Sequence, residues 1–538
     1  QARARAEAVN GFLVGMFEQA DPKRALGANL TAAELVGRGT ERLDTDLRDQ
    51  PEVRAALLVT LSRVHGALGH WPRAHSLARE AVALREPTAG VPLAEALVQL
   101  SEAARHTDAT DEAERALNRA LALQRAAYGP AHGTVAKTLH NLALVRHDQG
   151  KYDDAEVLHR QAISLRRALA PQGDEVLSSL SGLAQTLRSQ SRYAEAEAVY
   201  REVLTARRAR LPAHHPSVIG TQRQLAQVLN YQDRNDEAER LFRESLRGAD
   251  EVLAPTHPDT IGIVNDLASL LHDRRRYDDA EPLYVRAVGA SRAEGNDSDL
   301  ATQINNLATL YEDQGRFADA RPLYIESLAL RRSARGPRHP VVGTALNNLG
   351  RLEATRGDLP AASRLLDEAL SIRLEANGPR HALTARTRYN VGRVHRMRGQ
   401  WRAARQSLDE ALSIQHERLT TTHPHTLATR LERARTSVAL SDFDAAETDA
   451  RFVLEARSRD RDAQPWELAE ARVVLAASLS PKRNVEARTL LDAARTVLAA
   501  SGQAHVLIRD EADRVSARLT RRSPVTRLAS TQLAEEPR

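Results

Sequence analysis

The chain of 538 residues contains no cysteine. Disulfide frameworks, thiolate nucleophiles and cysteine-ligated zinc or iron–sulfur sites are excluded with it. Aromatic residues are scarce at 4%, and lysine stands only at Lys23, Lys137, Lys151 and Lys482. A β-rich core leans on aromatic and β-branched side chains. A hydrophobic content of 42% with so few rings therefore points to Ala and Leu packing at helical spacing. No apolar run approaches the roughly 18–20 residues that a spanning helix needs, so no membrane span is expected. Catalytic signatures are missing as well: there is no Gly-x-Ser-x-Gly elbow, no His-Glu-x-x-His, no His-Arg-Asp and no Asp-Phe-Gly. Neither catalysis nor a cofactor is expected of these residues.

What is present is a sentence repeated along the chain. Residues 305–328 read as two amphipathic helices joined by one turn. Leu307, Leu310 and Tyr311 recur at helical spacing, Gly315 stops the first helix, and Phe317, Ala320, Leu323, Tyr324 and Leu328 line one face of the second. The start of the second helix recurs as a residue three before an alanine: Trp71, Thr110, Tyr152, Tyr193, Asn235, Tyr277, Phe317, Leu359, Trp401, Phe443 and Asn484. Twelve residues before most of these alanines stands another small residue, from Ala143 through Ala308 to Gly350, Gly392 and Ala434. Glycine ends the first helix at Gly69, Gly150, Gly315, Gly357 and Gly399, where a left-handed residue is wanted. Ser191, Asp233, Arg275 and Ser441 take that place elsewhere, which predicts less favourable turns. A period near 42 residues held this long is a solenoid.

Small residue, twelve residues, Ala, then another small residue seven further on is a pattern that resembles the tetratricopeptide repeat. The period exceeds the usual 34 by about two helical turns, which is similar to the kinesin light chain type. The resemblance covers residues 51–500. It implies an all-α fold, a TPR α-solenoid forming a right-handed superhelix of about ten to eleven helix-turn-helix repeats. It further implies a concave groove lined by the first helices, in which asparagine amides bond the backbone of an extended peptide. The residues here that would do so are Asn141, Asn265, Asn305, Asn306, Asn347, Asn348 and Asn390. Asparagine is a poor helix former, so its recurrence inside helices needs a reason. Capping or bridging of neighbouring helices is the structural alternative.

Histidine precedes proline at His215, His257, His339 and His423, where the proline suits the first helical position. These histidines recur one per repeat, too far apart to share a metal ion, and helix capping is their expected role. Paired acids such as Asp153-Asp154 and Asp278-Asp279 fall in second-helix first turns, where carboxylates favour the dipole.

The net charge of +5 is almost all arginine. A GC-rich genome would produce that bias by itself; arginine forks for carboxylates or phosphates are the functional alternative. Arg386, Arg388, Arg393, Arg396, Arg398, Arg402 and Arg405 crowd one repeat, with Arg351 and Arg356 in the one before. Arg386, Asn390 and Arg393 share a helical face, which beside Arg351 would favour acidic or phosphorylated segments of a protein or peptide partner; a solvated charged face is the structural alternative. Sparse aromatics and nearly balanced acidic residues argue against nucleic acid, and no small-molecule substrate is expected.

Residues 1–50 read as a helical linker or cap, with a capping box at Thr31 and Glu34. Ala6-Glu7-Ala8-Val9-Asn10-Gly11-Phe12-Leu13-Val14-Gly15-Met16-Phe17, Ala20-Asp21-Pro22 and Thr31-Ala32-Ala33-Glu34-Leu35 resemble the linker of large bacterial serine/threonine protein kinases. In that family the linker follows the kinase domain and a transmembrane helix and leads into TPR repeats. A start at Gln1 without methionine fits a fragment or a processed piece. Residues 501–519 read as a C-terminal capping helix and 520–538 as a disordered tail.

Overall fold

The computed structural model describes residues 47–521, apart from 172, 461–462, 480–482 and 501–504, together with Thr40 and Leu43. The stretches that carry the kinase-linker resemblance and the Thr31 capping box lie outside the described residues, as does nearly all of the expected tail.

Twenty-three helices run through the described residues, with no strand among them. They are α1 (Pro51–Ala67), α2 (Trp71–Arg85), α3 (Val91–His106), α4 (Thr110–Tyr128), α5 (Gly133–Asp148), α6 (Tyr152–Leu169), α7 (Asp174–Ser189), α8 (Tyr193–Arg208), α9 (Pro216–Tyr231), α10 (Asn235–Val252), α11 (Pro258–Asp273) and α12 (Tyr277–Glu294). They continue as α13 (Asp297–Asp313), α14 (Phe317–Arg335), α15 (Pro340–Arg356), α16 (Leu359–Asn377), α17 (Ala382–Met397), α18 (Trp401–Arg418), α19 (Pro424–Ala439), α20 (Phe443–Arg459), α21 (Pro465–Ser478), α22 (Asn484–Ala500) and α23 (Val506–Arg521). The chain divides into two compact units, Gln1–Leu270 and Leu271–Arg538. Within each unit the helices pack mainly on their neighbours in sequence, the arrangement of an α-solenoid.

All eleven landmark residues, Trp71 through Asn484, are the first residue of a helix. The alanine three further on is fully buried in each repeat, among them Ala74, Ala155, Ala280, Ala320 and Ala404. These alanines let the two helices of a pair approach closely, and the residue four further on fills the seam. Tyr324 fills it against Ala308, with both side chains fully buried. Where the first helix carries Gly350 or Gly392 instead, the filler is Leu366 or Leu408. A Cβ on either glycine would come within 2.8 Å of that leucine's Cγ. The pair of helices keeps its fit by trading bulk across the seam.

The turns behave as the pattern requires. Gly315 sits at φ +76°, and Ser191, Asp233, Arg275 and Ser441, which stand where glycine is expected, adopt φ +62°, +59°, +58° and +63°. Each of these side chains bears the left-handed conformation that glycine would accept without strain. At the other end of the repeat, His215, His257, His339 and His423 cap the helices that follow them. The imidazole Nδ1 accepts the backbone N–H two residues on, at 3.2, 3.2, 3.3 and 3.1 Å. His132 and His381 do the same without a following proline, at 3.3 and 3.1 Å. An acceptor at this place satisfies one of the orphan N–H groups of the first turn. Among the described residues no three metal-ligating side chains come together, and no helix is long and apolar enough to cross a membrane.

One seam departs from the pattern. His159 fills the place held by Leu117, Tyr200 or Phe242 in other repeats and is fully buried, its ring 5.3 Å from that of His140. Gly182 makes room for it, since a Cβ there would lie 2.5 Å from its Cε1. Neither ring nitrogen of His159 finds a hydrogen-bond partner among the described residues. Burial, then the fields of His140, His147 and Arg166, holds His159 down to about 3; burial and Arg166 hold His140 down to about 4. An unfolded imidazole takes up its proton near pH 6.5. As pH falls from about 6.5 toward 3 the unfolded chain therefore binds protons that the folded one refuses, and the first unit loses stability. His159→Leu, the residue of the preceding seam, is expected to add about 1 kcal/mol at pH 7 by removing two unpaired buried nitrogens. The gain should widen at pH 5, and urea unfolding followed by circular dichroism at both pH values measures it. A wild-type midpoint independent of pH over that window would contradict the assignment.

Candidate peptide groove

The asparagine row lies on the first helices of successive repeats, and in the second unit its members are bonded to one another. Asn348 Nδ2 donates to Asn305 Oδ1 at 3.0 Å, and Asn390 Nδ2 donates to Asn347 Oδ1 at 3.0 Å. Both bonds span 43 residues, one repeat plus one position. The second residue of each pair thus reaches back to the first residue of the pair before. Asn347 Nδ2 also points to Asn348 Oδ1 at 3.5 Å. In the first unit the same geometry is ionic: Arg223 Nε donates to Asp266 Oδ2 at 2.6 Å, joined by Gln227 Nε2 at 2.7 Å.

This corrects part of the expectation for the groove. Asn347 and Asn390 are only 1% and 4% exposed, and their amides bond each other as a strut between α15 and α17. An amide so placed reaches a ligand only if the strut opens, which would leave a buried polar group unpaired. Asn305 and Asn348 remain half-buried, and Asn305 Nδ2 has no partner among the described residues. Asn141, Asn265 and Asn306 are half-buried on α5, α11 and α13. The 43-residue offset was present in the sequence as the alignment of Asn305 with Asn348 and of Asn347 with Asn390.

The arginine crowd is mostly neutralised. Arg351 pairs with buried Glu312 at 2.7 Å, Arg356 with Glu353 at 2.8 Å, and Arg388 with Glu410. Arg396 meets Glu432 at 2.7 Å, and Arg405 meets Asp409 at 3.1 Å. Two of the expected site residues have no ion pair among the described residues. Arg393 lies over the Tyr389 ring at 5.9 Å, and Arg386 has a buried Nε with no partner. Burial, then the field of Arg351, pushes the Arg386 guanidinium below its ordinary value.

Beneath this face runs a charge network that the sequence reading did not single out. Half-buried Arg435 contacts Glu432 and Glu470 at 3.0 Å and Glu511 at 2.9 Å, tying α19 to α21 and α23. Burial by itself would raise the Glu432 carboxyl. Arg396, Arg435 and Arg393 outweigh it and hold the group down at about 2. A carboxylate held below its ordinary value of about 4.3 contributes stability above that pH and loses it as pH falls toward 2. Glu432→Gln takes the carboxylate from Arg396 and leaves half-buried Arg435 with two of its three partners, and is expected to cost about 2 kcal/mol at pH 7. The deficit should vanish as the wild type is taken from pH 4.3 toward pH 2, which acid titration followed by circular dichroism checks.

The Tetratricopeptide repeat family matches residues 92–168, 134–209, 217–293, 299–375 and 356–417 through one family model and 54–91 through a second. No similar protein was found among curated proteins. Among solved structures, BtubC (BKLC) from P. vanneervenii is 23% identical over 42% of this chain and 92% of its own, with a TM-score of 0.38. A putative kinesin light chain from Podosopora anserina with nearly identical TPR-like repeats is 20% identical over 38% of this chain and 99% of its own, with a TM-score of 0.33. The apo form of RapI is 14% identical over 52% of this chain and 97% of its own, with a TM-score of 0.44. Matched over more than half of its length by the repeat that its 42-residue register describes, the chain belongs to the tetratricopeptide repeat family.

Proposed function

We propose that the chain is a non-catalytic scaffold that holds an extended segment of a protein partner along the first helices of its second unit. The observation that carries this reading is the half-buried Asn305–Asn348 rung, bonded at 3.0 Å yet keeping Asn305 Nδ2 unspent. An amide fixed by one bond and open at its other end offers a donor to a peptide carbonyl without reading the side chain beside it. Unpaired Arg386 and Arg393 on the neighbouring first helix favour segments rich in Asp, Glu or phosphorylated residues. Cofactor and metal chemistry play no part in this reading.

Panning a peptide-display library on the whole chain tests the groove. Selected peptides are expected to lose at least about tenfold in affinity, near 1.4 kcal/mol, on Asn305→Ala with Asn348→Ala, at unchanged helicity. Peptides that bind the double variant as well as the wild type would remove the groove from consideration.

A second reading rests on residues 6–35, whose sequence resembles the kinase linker. It makes the array the regulatory or sensor region of a bacterial receptor-like serine/threonine kinase. The reading frame upstream of Gln1 decides it: a spanning helix preceded by kinase motifs is expected, and a start codon a few residues upstream would sink it.

A further inference from the structure

The repeat register places one side chain eleven residues after the landmark alanine, near the end of each second helix. In five repeats it is a buried or half-buried arginine whose Nη1 donates to a carbonyl in the first turn of the next helix. Arg85 reaches Pro92 O, Arg166 reaches Glu175 O at 2.6 Å, and Arg207 reaches Ser217 O at 3.0 Å. Arg331 reaches Val341 O at 3.2 Å and Arg457 reaches Glu467 O at 2.7 Å. Each guanidinium fills the junction between two repeats.

In the repeat of α17 and α18 that position is Gln415, too short to span the junction. A cavity of about 230 Å³ lies there between α17, α18 and α19, lined among others by Arg386, Tyr389, Leu419, His423 and Ala428. Gln415 itself is only 3% exposed and lines this cavity, and its Oε1 has no hydrogen-bond partner among the described residues. Arg386 enters from α17 with no carboxylate paired to it. Arg373, the strut of the preceding repeat, is fully buried and bonds only Thr344 Oγ1 at 3.2 Å, its Nε and Nη1 unpartnered. His423 spends its Nδ1 on the His425 N–H at 3.1 Å, so its proton sits on Nε2. The cavity thus presents donors at Arg386 and His423, one idle acceptor at Gln415, and apolar walls at Leu419 and Ala428.

The volume equals about seven or eight waters at roughly 30 Å³ each and falls below the roughly 300–1,000 Å³ of ordinary small-molecule sites. It suits one amino-acid side chain. A cationic side chain is repelled by Arg386 and Arg373, and an apolar one leaves Arg386 and Gln415 unsatisfied. A bare oxyanion satisfies Arg386 but brings no donor for Gln415. An acidic residue within a polypeptide supplies both, since its carboxylate and its own backbone N–H lie a few bonds apart.

We propose that this cavity takes the side chain of one Glu or Asp from a bound protein segment, with its carboxylate on Arg386 and its backbone N–H donating to Gln415 Oε1. The proposal rests on the groove reading and gives it an anchor point: a repeat junction left open where an arginine strut is replaced by Gln415.

Saturation-transfer NMR of the full chain with N-acetyl-glutamate methylamide tests it, with N-acetyl-glutamine methylamide as the neutral control. The glutamate probe is expected to give transfer with wild type and the glutamine probe none. Arg386→Gln should weaken the signal at least tenfold, and Ala428→Phe should abolish it by filling the cavity from α19. If Arg386→Gln fails to fold, Ala428→Phe still decides, because Ala428 is only partly buried and Arg386 is retained. No transfer in wild type, equal transfer from the glutamine probe, or a signal that survives Ala428→Phe would each overturn the assignment. The probe is too short to engage the asparagine rungs. Its silence, with display-selected peptides still dependent on Asn305 and Asn348, would therefore remove the cavity and leave the groove standing. The opposite pattern would remove the groove.

Discussion

Close approach of the two helices within each repeat is the constraint on which everything else depends. It is set where a fully buried alanine of the second helix faces a small residue of the first, with one larger side chain filling the seam. Ala308 with Tyr324 and Gly350 with Leu366 are two solutions of the same volume problem. Because neither helix buries its apolar stripe alone, each pair needs its neighbours, and the fold propagates as a stack. The buried His159 against Gly182 shows how narrow the tolerance is: the seam accepts a polar ring only by deleting a methyl group opposite it.

That stacking sets the fate of the polar residues. Once first helices lie side by side one repeat apart, residues 43 apart face each other, and asparagine amides there find partners before any ligand does. Asn347 and Asn390 hold repeats together, whereas Asn305 and Asn348 are held by the same kind of bond and keep an open edge. A rung fixed by one hydrogen bond is also preorganised for a second, so bridging and peptide capture are two uses of one geometry.

Charge follows the same logic. Seven arginines crowd one repeat in the sequence, yet Arg388, Arg396 and Arg405 among them meet carboxylates that sit outside their own helices. What survives is an imbalance concentrated at the junction of α17, α18 and α19. There Arg386 lacks a counter-ion and Gln415 leaves the strut position unfilled, next to the preceding junction, where Arg373 has no counter-ion either. An imperfect repeat is where an array departs from pure architecture, because a vacancy in a periodic structure is a place for something else.

The sequence by itself determined the period, the helix starts, the turn residues and the histidine caps. Each of these depends on contacts within about four residues or on a single turn, and such contacts repeat with the chain. Even the departures were legible, as Ser191, Asp233, Arg275 and Ser441 stand in the left-handed turns where glycine was missed. The resemblance to the tetratricopeptide repeat followed from that register. Which asparagines were spent on each other, which arginines were neutralised, and that Gln415 opens a cavity were decided only by the tertiary structure. These outcomes depend on how one repeat is laid against the next, and a side chain's partner one repeat away is fixed by packing across that interface, which no local periodicity encodes.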